Sequence, residues 1–252
     1  MIHSLQLQRD GEPLDGFIGF SFASQYQNLA ETRQTFLHPH EERYWLEAKS
    51  AERRSSYLLG RHAAKQALAG CLHEENWTQI EIAWGVFGQP LVRHGTAAPP
   101  EISIAHTRGA AVAVACQAGH PIGVDFEHGA PTRNIGTEDV CVPAERELLL
   151  RARQTGAGDL LLFWAVKEAL AKVLLCGLMT PLAILQIDAV ATTDPDTYIA
   201  GFKNFPQYKA VAWALESYVL AIALPRRTEL GFQPDAEVRR HLQLAGNSAA
   251  GS

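Results

Sequence analysis

Gly123-Val124-Asp125-Phe126-Glu127 and Trp164-Ala165-Val166-Lys167-Glu168-Ala169-Leu170-Ala171-Lys172 are the two stretches from which the fold and the chemistry are read. In the first, a strand running from Ile122 to Glu127, alternate side chains leave opposite faces. Asp125 and Glu127 therefore share one face, and Phe126 points into the opposite layer. The second belongs to a helix expected from about Asp159 to Cys176, which Gly177 is placed to end. Trp164, Glu168 and Lys172 follow one another at i, i+4 and i+8, along one stripe of that helix.

Working outward, Pro143-Ala144-Glu145-Arg146 opens a further helix, with proline in its first turn and acids behind it. Strands are expected at Ile184 to Ala189, Tyr198 to Phe202, Tyr208 to Glu216 and Tyr218 to Leu224, the last stopped by Pro225. The amino-terminal side offers a similar series. A strand at Phe17 to Phe22 leads into apolar residues at helical intervals from His40 to Leu72, read as two helices joined near Ala48-Lys49-Ser50. Strands follow at Ile80 to Trp84 and from Ile102, with a turn at Gly88-Gln89-Pro90. Ala111 to Cys116 and Ile122 to Glu127, separated by Ala118-Gly119-His120-Pro121, read as a hairpin. No literal sequence repeat is evident, yet helices followed by strands occur in each half. This predicts an α/β (α+β) fold of two similar subdomains, residues 1–120 and 121–225, with 226–252 as a partly disordered tail.

Composition narrows the function. At 252 residues, 47% apolar and 19% charged, the chain can bury a core and is neither disordered nor collagenous. The net charge of -5 gives no general attraction to polyanions, so nucleic-acid binding by bulk charge is not expected. Between Arg33 and Lys65, however, seven Lys or Arg face four Glu, a local +3 that leaves the rest at -8. Arg53, Arg54 and Arg61 stand there at helical spacing, as candidates for a local anion site. Cys71, Cys116, Cys141 and Cys176 show no paired spacing, which argues for buried thiols over a zinc or redox pair. The start of the chain lacks a secretory pattern and no apolar run approaches ~18 residues, so a cytoplasmic protein without a membrane span is expected.

Two carboxylates on one strand face repel each other, and a divalent cation with hard oxygen ligands, such as magnesium, is the usual remedy. An ordinary solvated face accounts for that pair equally well. The Glu168/Lys172 pair taken alone is a common helix-surface feature worth only ~0.2–0.5 kcal/mol. What adds weight is the company of these residues with the polar segment Ser103-Ile104-Ala105-His106-Thr107-Arg108-Gly109.

Taken in order, Tyr57-Leu58-Leu59-Gly60-Arg61, Ser103-Ile104-Ala105-His106-Thr107, Gly123 to Glu127 and Trp164 to Lys172 resemble the Sfp-type 4'-phosphopantetheinyl transferases. Gly88-Gln89-Pro90 and Val142-Pro143-Ala144-Glu145-Arg146 are similar to further elements of that family. The likeness covers roughly residues 17 to 224. It implies a pseudo-twofold pair of subdomains with an active site in the cleft between them. Coenzyme A would be the co-substrate and Mg2+ the cofactor. By position, Asp125, Glu127 and Glu168 would ligate the metal, while Lys172 and His106 would meet phosphates. Arg53, Arg54, Arg61, Gln89 and Thr107 would belong to the coenzyme site. Gln89 stands where the family often has Lys, and Ala105 where Ser is frequent.

The implied reaction is that of a holo-[acyl-carrier-protein] synthase type enzyme. A serine hydroxyl of an apo acyl or peptidyl carrier protein attacks the β-phosphate of coenzyme A and releases 3',5'-ADP. Asp125, Glu168 and Lys172 are the catalytic candidates, with Glu168 taking the serine proton either directly or through a metal-bound water. Arg146, Arg151 and Arg153 are candidates for meeting an acidic carrier. Two fused halves make a monomer sufficient. Fatty-acid, polyketide and nonribosomal peptide carriers all remain open. A Mg2+-dependent phosphodiester hydrolase or nucleotidyl transferase is the alternative enzyme, and a non-catalytic coenzyme A or carrier-binding module the alternative without chemistry.

Overall fold

A computed structural model describes residues 1–129, 140–154, 160–177 and 180–250, apart from the side chains of 151–154 and 247–250. The fold is mixed helix and strand, α+β. The chain forms two compact units, Met1–Ile122 with Thr228–Ser252, and Gly123–Arg227.

The first unit begins with β1 (Ile2–Ser4), β2 (Leu7–Arg9), β3 (Glu12–Leu14) and β4 (Gly16–Phe22). Three helices follow, α1 (Tyr26–Thr32), α2 (Pro39–Glu47) and α3 (Ala51–Leu72), then β5 (Glu81–Trp84), β6 (Pro90–Arg93), β7 (Glu101–Thr107) and β8 (Ala110–Cys116). Helix α2 starts where the sequence supplies a start. Pro39 occupies its first turn, and the Glu41 carboxylate accepts the His38 amide proton at 2.9 Å. Helix α3 is capped by Ser50, whose hydroxyl accepts the Arg53 amide at 3.1 Å. Its Leu58, Ala63, Ala64, Ala67 and Leu68 are fully buried against the sheet β1-β4-β8-β7. Strand β8 is buried along its whole length because it lies between β4 and β7, and its small and β-branched side chains suit both covered faces.

The second unit runs through β9 (Gly123–His128), α4 (Pro143–Gln154), α5 (Leu160–Val173), β10 (Ile187–Asp194), β11 (Thr197–Phe202), β12 (Tyr208–Leu215) and β13 (Tyr218–Pro225). Its five strands are ordered β10-β11-β12-β13-β9, all antiparallel. Helix α5 buries Leu161, Phe163, Ala165, Ala169 and Leu170 in a core shared with Ala210, Ala212, Val219, Ala221 and Ala223.

Two readings of the sequence need correction. Segments 111–116 and 122–127 do not form a hairpin: β8 pairs with β4 and β7, whereas β9 pairs with β13 in the other unit. The hairpin partner of β8 is β7, and 117–122 is the passage from one unit to the next. The stretch after 226 is also more structured than its composition suggests. It holds β14 (Thr228–Leu230), paired with β2, and α6 (Ala236–Ala250). Phe232, Val238 and Leu242 are buried there, so three well-spaced apolar side chains anchor a segment otherwise poor in them.

Among the described residues both units share one order: a strand (β4 or β9), then helices (α1 to α3, or α4 and α5), then four further strands, the last of which pairs with the first. Ile18-Gly19-Phe20-Ser21-Phe22 opens one and Ile122-Gly123-Val124-Asp125-Phe126 the other. The same anchor then recurs. Glu41, third residue of α2, accepts the Ile82 amide of β5 at 2.9 Å and pairs with Lys65 of α3 at 2.8 Å. Glu145, third residue of α4, accepts the Ile187 amide of β10 at 2.6 Å and pairs with Lys167 of α5 at 2.8 Å. Both lysines spend their remaining protons on main-chain carbonyls, Trp77 and Ile80 in one unit, Val140 and Leu182 in the other. Each buried charge is thus paired and hydrogen-bonded, the condition under which burial is tolerated.

Candidate active site

The second unit brings four of the expected residues together at β9 and α5. Gly123 makes this close approach feasible. A Cβ built on it would lie 2.2 Å from the Ala169 carbonyl oxygen, so only glycine lets the strand backbone meet the helix backbone here. One turn further along α5, the Lys172 ammonium reaches across and donates to the Val124 carbonyl and to Asp125 Oδ1, both at 2.8 Å. Asp125 is 5% exposed. Glu168 precedes Lys172 by one helical turn. The indole N–H of Trp164, one turn earlier again, donates to Glu127 Oε1 at 3.0 Å. The stripe read from the sequence is therefore a set of contacts: its first member holds one strand acid and its last holds the other.

The electrostatics are those of crowded acids in partial burial. Burial and the neighbouring Asp125 raise the Glu127 carboxyl above its ordinary value, against the lowering effect of the Trp164 N–H and of Lys172. Glu168 is pushed further, to about 7, by burial first, then by Asp125 and Glu127, with Lys172 opposing. One ammonium among three carboxylates leaves the cluster short of positive charge. Asp125 Oδ2 and Glu168 Oε1 are buried without a hydrogen-bond partner among the described residues. Two such oxygens, on side chains that already repel each other, fit a hard divalent cation such as magnesium. In the present arrangement the three acids do not form a set with all ligand atoms within 4.8 Å of one another, and one Glu127 oxygen is occupied by Trp164.

The residues expected to meet the coenzyme lie in the first unit. Arg53 is exposed on α3 and donates to the Tyr44 hydroxyl at 2.5 Å. Arg54 is half-buried, with a long 3.5 Å bond to the Ala48 carbonyl. Arg61 is 3% exposed. Its guanidinium pairs with Glu41 at 3.5 Å, donates to the Ile82 carbonyl, and lies over the rings of Tyr57 and Trp84, so its charge is used inside the unit. Gln89 folds back across its own turn and accepts the Phe87 amide at 3.0 Å. His106 and Thr107 end β7, His106 exposed and Thr107 half-buried. Arg146 is exposed on α4, whereas the side chains of Arg151 and Arg153 lie outside the described residues.

Sequence reasoning missed three contributors: the Trp164 N–H as holder of Glu127, the Val124 carbonyl as second seat for Lys172, and Gly123 as the spacer. The i−4 placement of Trp164 before Glu168 was the available signal for the first.

Residues 121–223 match the 4'-phosphopantetheinyl transferase superfamily. The matched segment contains all four residues of the cluster. No curated protein matches the chain. Among solved structures, a holo-(acyl-carrier-protein) synthase from Bacillus anthracis in complex with CoA (3',5'-ADP) is 23% identical, with a TM-score of 0.36. The likeness covers 40% of this chain and 94% of that one. The holo-[acyl-carrier-protein] synthase of Thermotoga maritima is 19% identical, with a TM-score of 0.33, covering 63% of this chain and 98% of that one. A Chronobacterium ammoniagenes ACPS–CoA complex is 17% identical, with a TM-score of 0.33, covering 40% and 96%. No helix of the described residues is long and apolar enough to cross a membrane.

Proposed function

We propose that this protein transfers the 4'-phosphopantetheine group of coenzyme A to a serine hydroxyl of an apo acyl or peptidyl carrier protein, releasing 3',5'-ADP. The observation that carries the proposal is the meeting of Asp125, Glu168 and Lys172, with two unpartnered buried carboxylate oxygens, on a segment that matches the superfamily.

Phosphoryl transfer asks a protein mainly to position the reactants and to balance charge. Asp125, Glu168 and, once released from Trp164, Glu127 would hold magnesium. When bound, the ion neutralises pyrophosphate charge that develops on the leaving group. Lys172 places an ammonium beside the same carboxylates, where it also faces an incoming phosphate. Glu168, whose carboxyl burial and the neighbouring acids raise in the metal-free cluster, is the group proposed to accept the serine proton. Arg53, Arg54, Gln89, His106 and Thr107 are the proposed coenzyme contacts of the first unit, whereas Arg61 is engaged by Glu41 and the Ile82 carbonyl. Arg146 is the described cation proposed to meet an acidic carrier.

The test is incubation of the protein with coenzyme A, Mg2+ and an apo carrier protein, followed by intact mass measurement. A gain of ~340 Da on the carrier, one phosphopantetheine added by phosphoryl transfer, supports the proposal. Cleavage of coenzyme A with no mass gain indicates a hydrolase instead. Coenzyme binding without turnover indicates a binding module.

A further inference from the structure

A second cluster of ligating side chains stands in the first unit, apart from the residues discussed above. His38, His40 and Glu81 each offer a ligand atom, and the three atoms lie within 4.8 Å of one another. We propose that these residues form a binding site for a borderline transition-metal ion of the zinc class, linking the start of α2 to the first residue of β5.

The chemistry of the donors selects the ion. Two imidazoles and one carboxylate suit zinc, copper or nickel, whereas magnesium and calcium prefer oxygen donors alone. Three protein ligands leave a coordination position for solvent, as in zinc sites that are not purely structural. The local sequence sets the geometry. Pro39 between the two histidines fixes the backbone, His38 is extended at φ -65°, ψ 149°, and the rings stand edge to face with centroids 4.9 Å apart. His40 Nδ1 is already 3.0 Å from Glu81 Oε1.

The site is held together from behind. Glu41, next to His40, binds the amide of Ile82, next to Glu81, and is itself fixed by Lys65. The two ligand-bearing elements therefore meet whether or not a metal is present, which removes most of the ordering cost of binding. Besides the His40–Glu81 hydrogen bond, whose shared proton a metal ion would replace, two existing contacts compete. His38 Nδ1 accepts the His40 amide at 3.3 Å, and Arg93 Nη1 lies 3.6 Å from Glu81 Oε1. The first is a long bond at a helix start that Glu41 and Pro39 also secure, and the Arg93 side chain is 64% exposed and free to swing away. Each yields at small cost.

The test uses the untagged, metal-stripped full-length protein with Zn2+ by calorimetry and Co2+ by visible absorption, in the presence of millimolar Mg2+. One equivalent of Zn2+ is expected, together with Co2+ d–d bands. His40→Ala, at an exposed position, should weaken binding at least ~10-fold without changing the metal-free melting temperature. Glu81→Gln should do the same, whereas Asp125→Ala should bind Zn2+ as the parent does. Absence of a saturable equivalent overturns the assignment. So does full-affinity binding in His40→Ala, or loss of binding in Asp125→Ala in its place.

Discussion

Lys172 holds Asp125 at 2.8 Å, yet Glu168, one turn before it on the same helix, keeps Oε1 without a hydrogen-bond partner among the described residues. The single ammonium of the cluster is therefore committed to one acid, and the strain of like charge falls on the other. That asymmetry gives the two carboxylates different work: one is paired and the other is ready to exchange a proton or take a cation.

Glu168→Gln tests this most directly. The folded protein holds the Glu168 proton up to about 7, against an ordinary 4.5. Stabilisation from that proton is full below the unfolded value and is lost as pH rises through the folded one. Without metal, the parent should thus lose melting temperature relative to Glu168→Gln between about pH 4.5 and 7, with a constant gap above. Single-turnover transfer should collapse in the variant. Parallel pH profiles of melting, or unchanged transfer, would refute the role.

Asp125→Ala should abolish Mg2+-dependent transfer, a loss of about 100-fold or more, while the far-ultraviolet spectrum stays that of the parent. The measurement is the rate at saturating Mg2+. A near-normal rate there would remove Asp125 from the metal site.

Trp164→Phe keeps the ring against the core and deletes the N–H that lowers the Glu127 carboxyl. Carbon-13 titration of the side-chain carboxyls should show Glu127 moving further up. A fall, or no movement, would mean that the indole does not hold it.

Arg54→Ala should raise the apparent KM for coenzyme A more than it lowers kcat, since a contact at the nucleotide end is made equally in ground and transition states. Dephospho-coenzyme A gives the contrast. If parent and variant discriminate equally between the two, Arg54 does not meet the 3'-phosphate.

Lys167→Ala should be costly for a reason unconnected with catalysis. It leaves Glu145 charged at 0% exposure, and breaking such a buried pair typically costs ~3–5 kcal/mol. Urea unfolding reads the effect, and a shift below ~1 kcal/mol would show that the interior tolerates the lone carboxylate.

Much of this was legible in the sequence. Period-two alternation placed Asp125 and Glu127 on one face, and the four-residue stripe placed Trp164, Glu168 and Lys172 on another. Two similar halves were read from the order of helices and strands, but the residues that match between them were not, although these markers are present. Gly19 to Pro39 and Gly123 to Pro143 each span 20 positions, and Glu41 and Glu145 follow at the same distance. Those markers are few among substituted neighbours, and what makes them equivalent is burial and pairing, which the sequence does not display. Pairing partners were harder still. Strand β8 next to β9 in sequence looked like a hairpin because local turn signals say nothing about which sheet a strand joins. The burial of Arg61 was hidden for the same reason, since Glu41, Tyr57 and Trp84 converge on it from three elements.

The twin Glu–Lys anchors separate architecture from chemistry. Immediately beside them the units diverge: Gln66 follows Lys65 where Glu168 follows Lys167, and Ser21 stands two places after Gly19 where Asp125 stands two after Gly123. In the first unit those positions form a network without carboxylates, with Ser21 Oγ 2.7 Å from His62 Nδ1, Gln66 bonded to both, and the Met1 ammonium donating to Gln66 Oε1. Substitutions at 21, 62 and 66 thus leave the Glu41–Lys65 pair itself unbroken, since neither partner of that pair bonds to them. Acids introduced at 21 and 66 would enter positions 0% and 4% exposed, with Gly70 where the second unit has Lys172, so a graft of the second unit's cluster onto this frame would have to bring its cation with it.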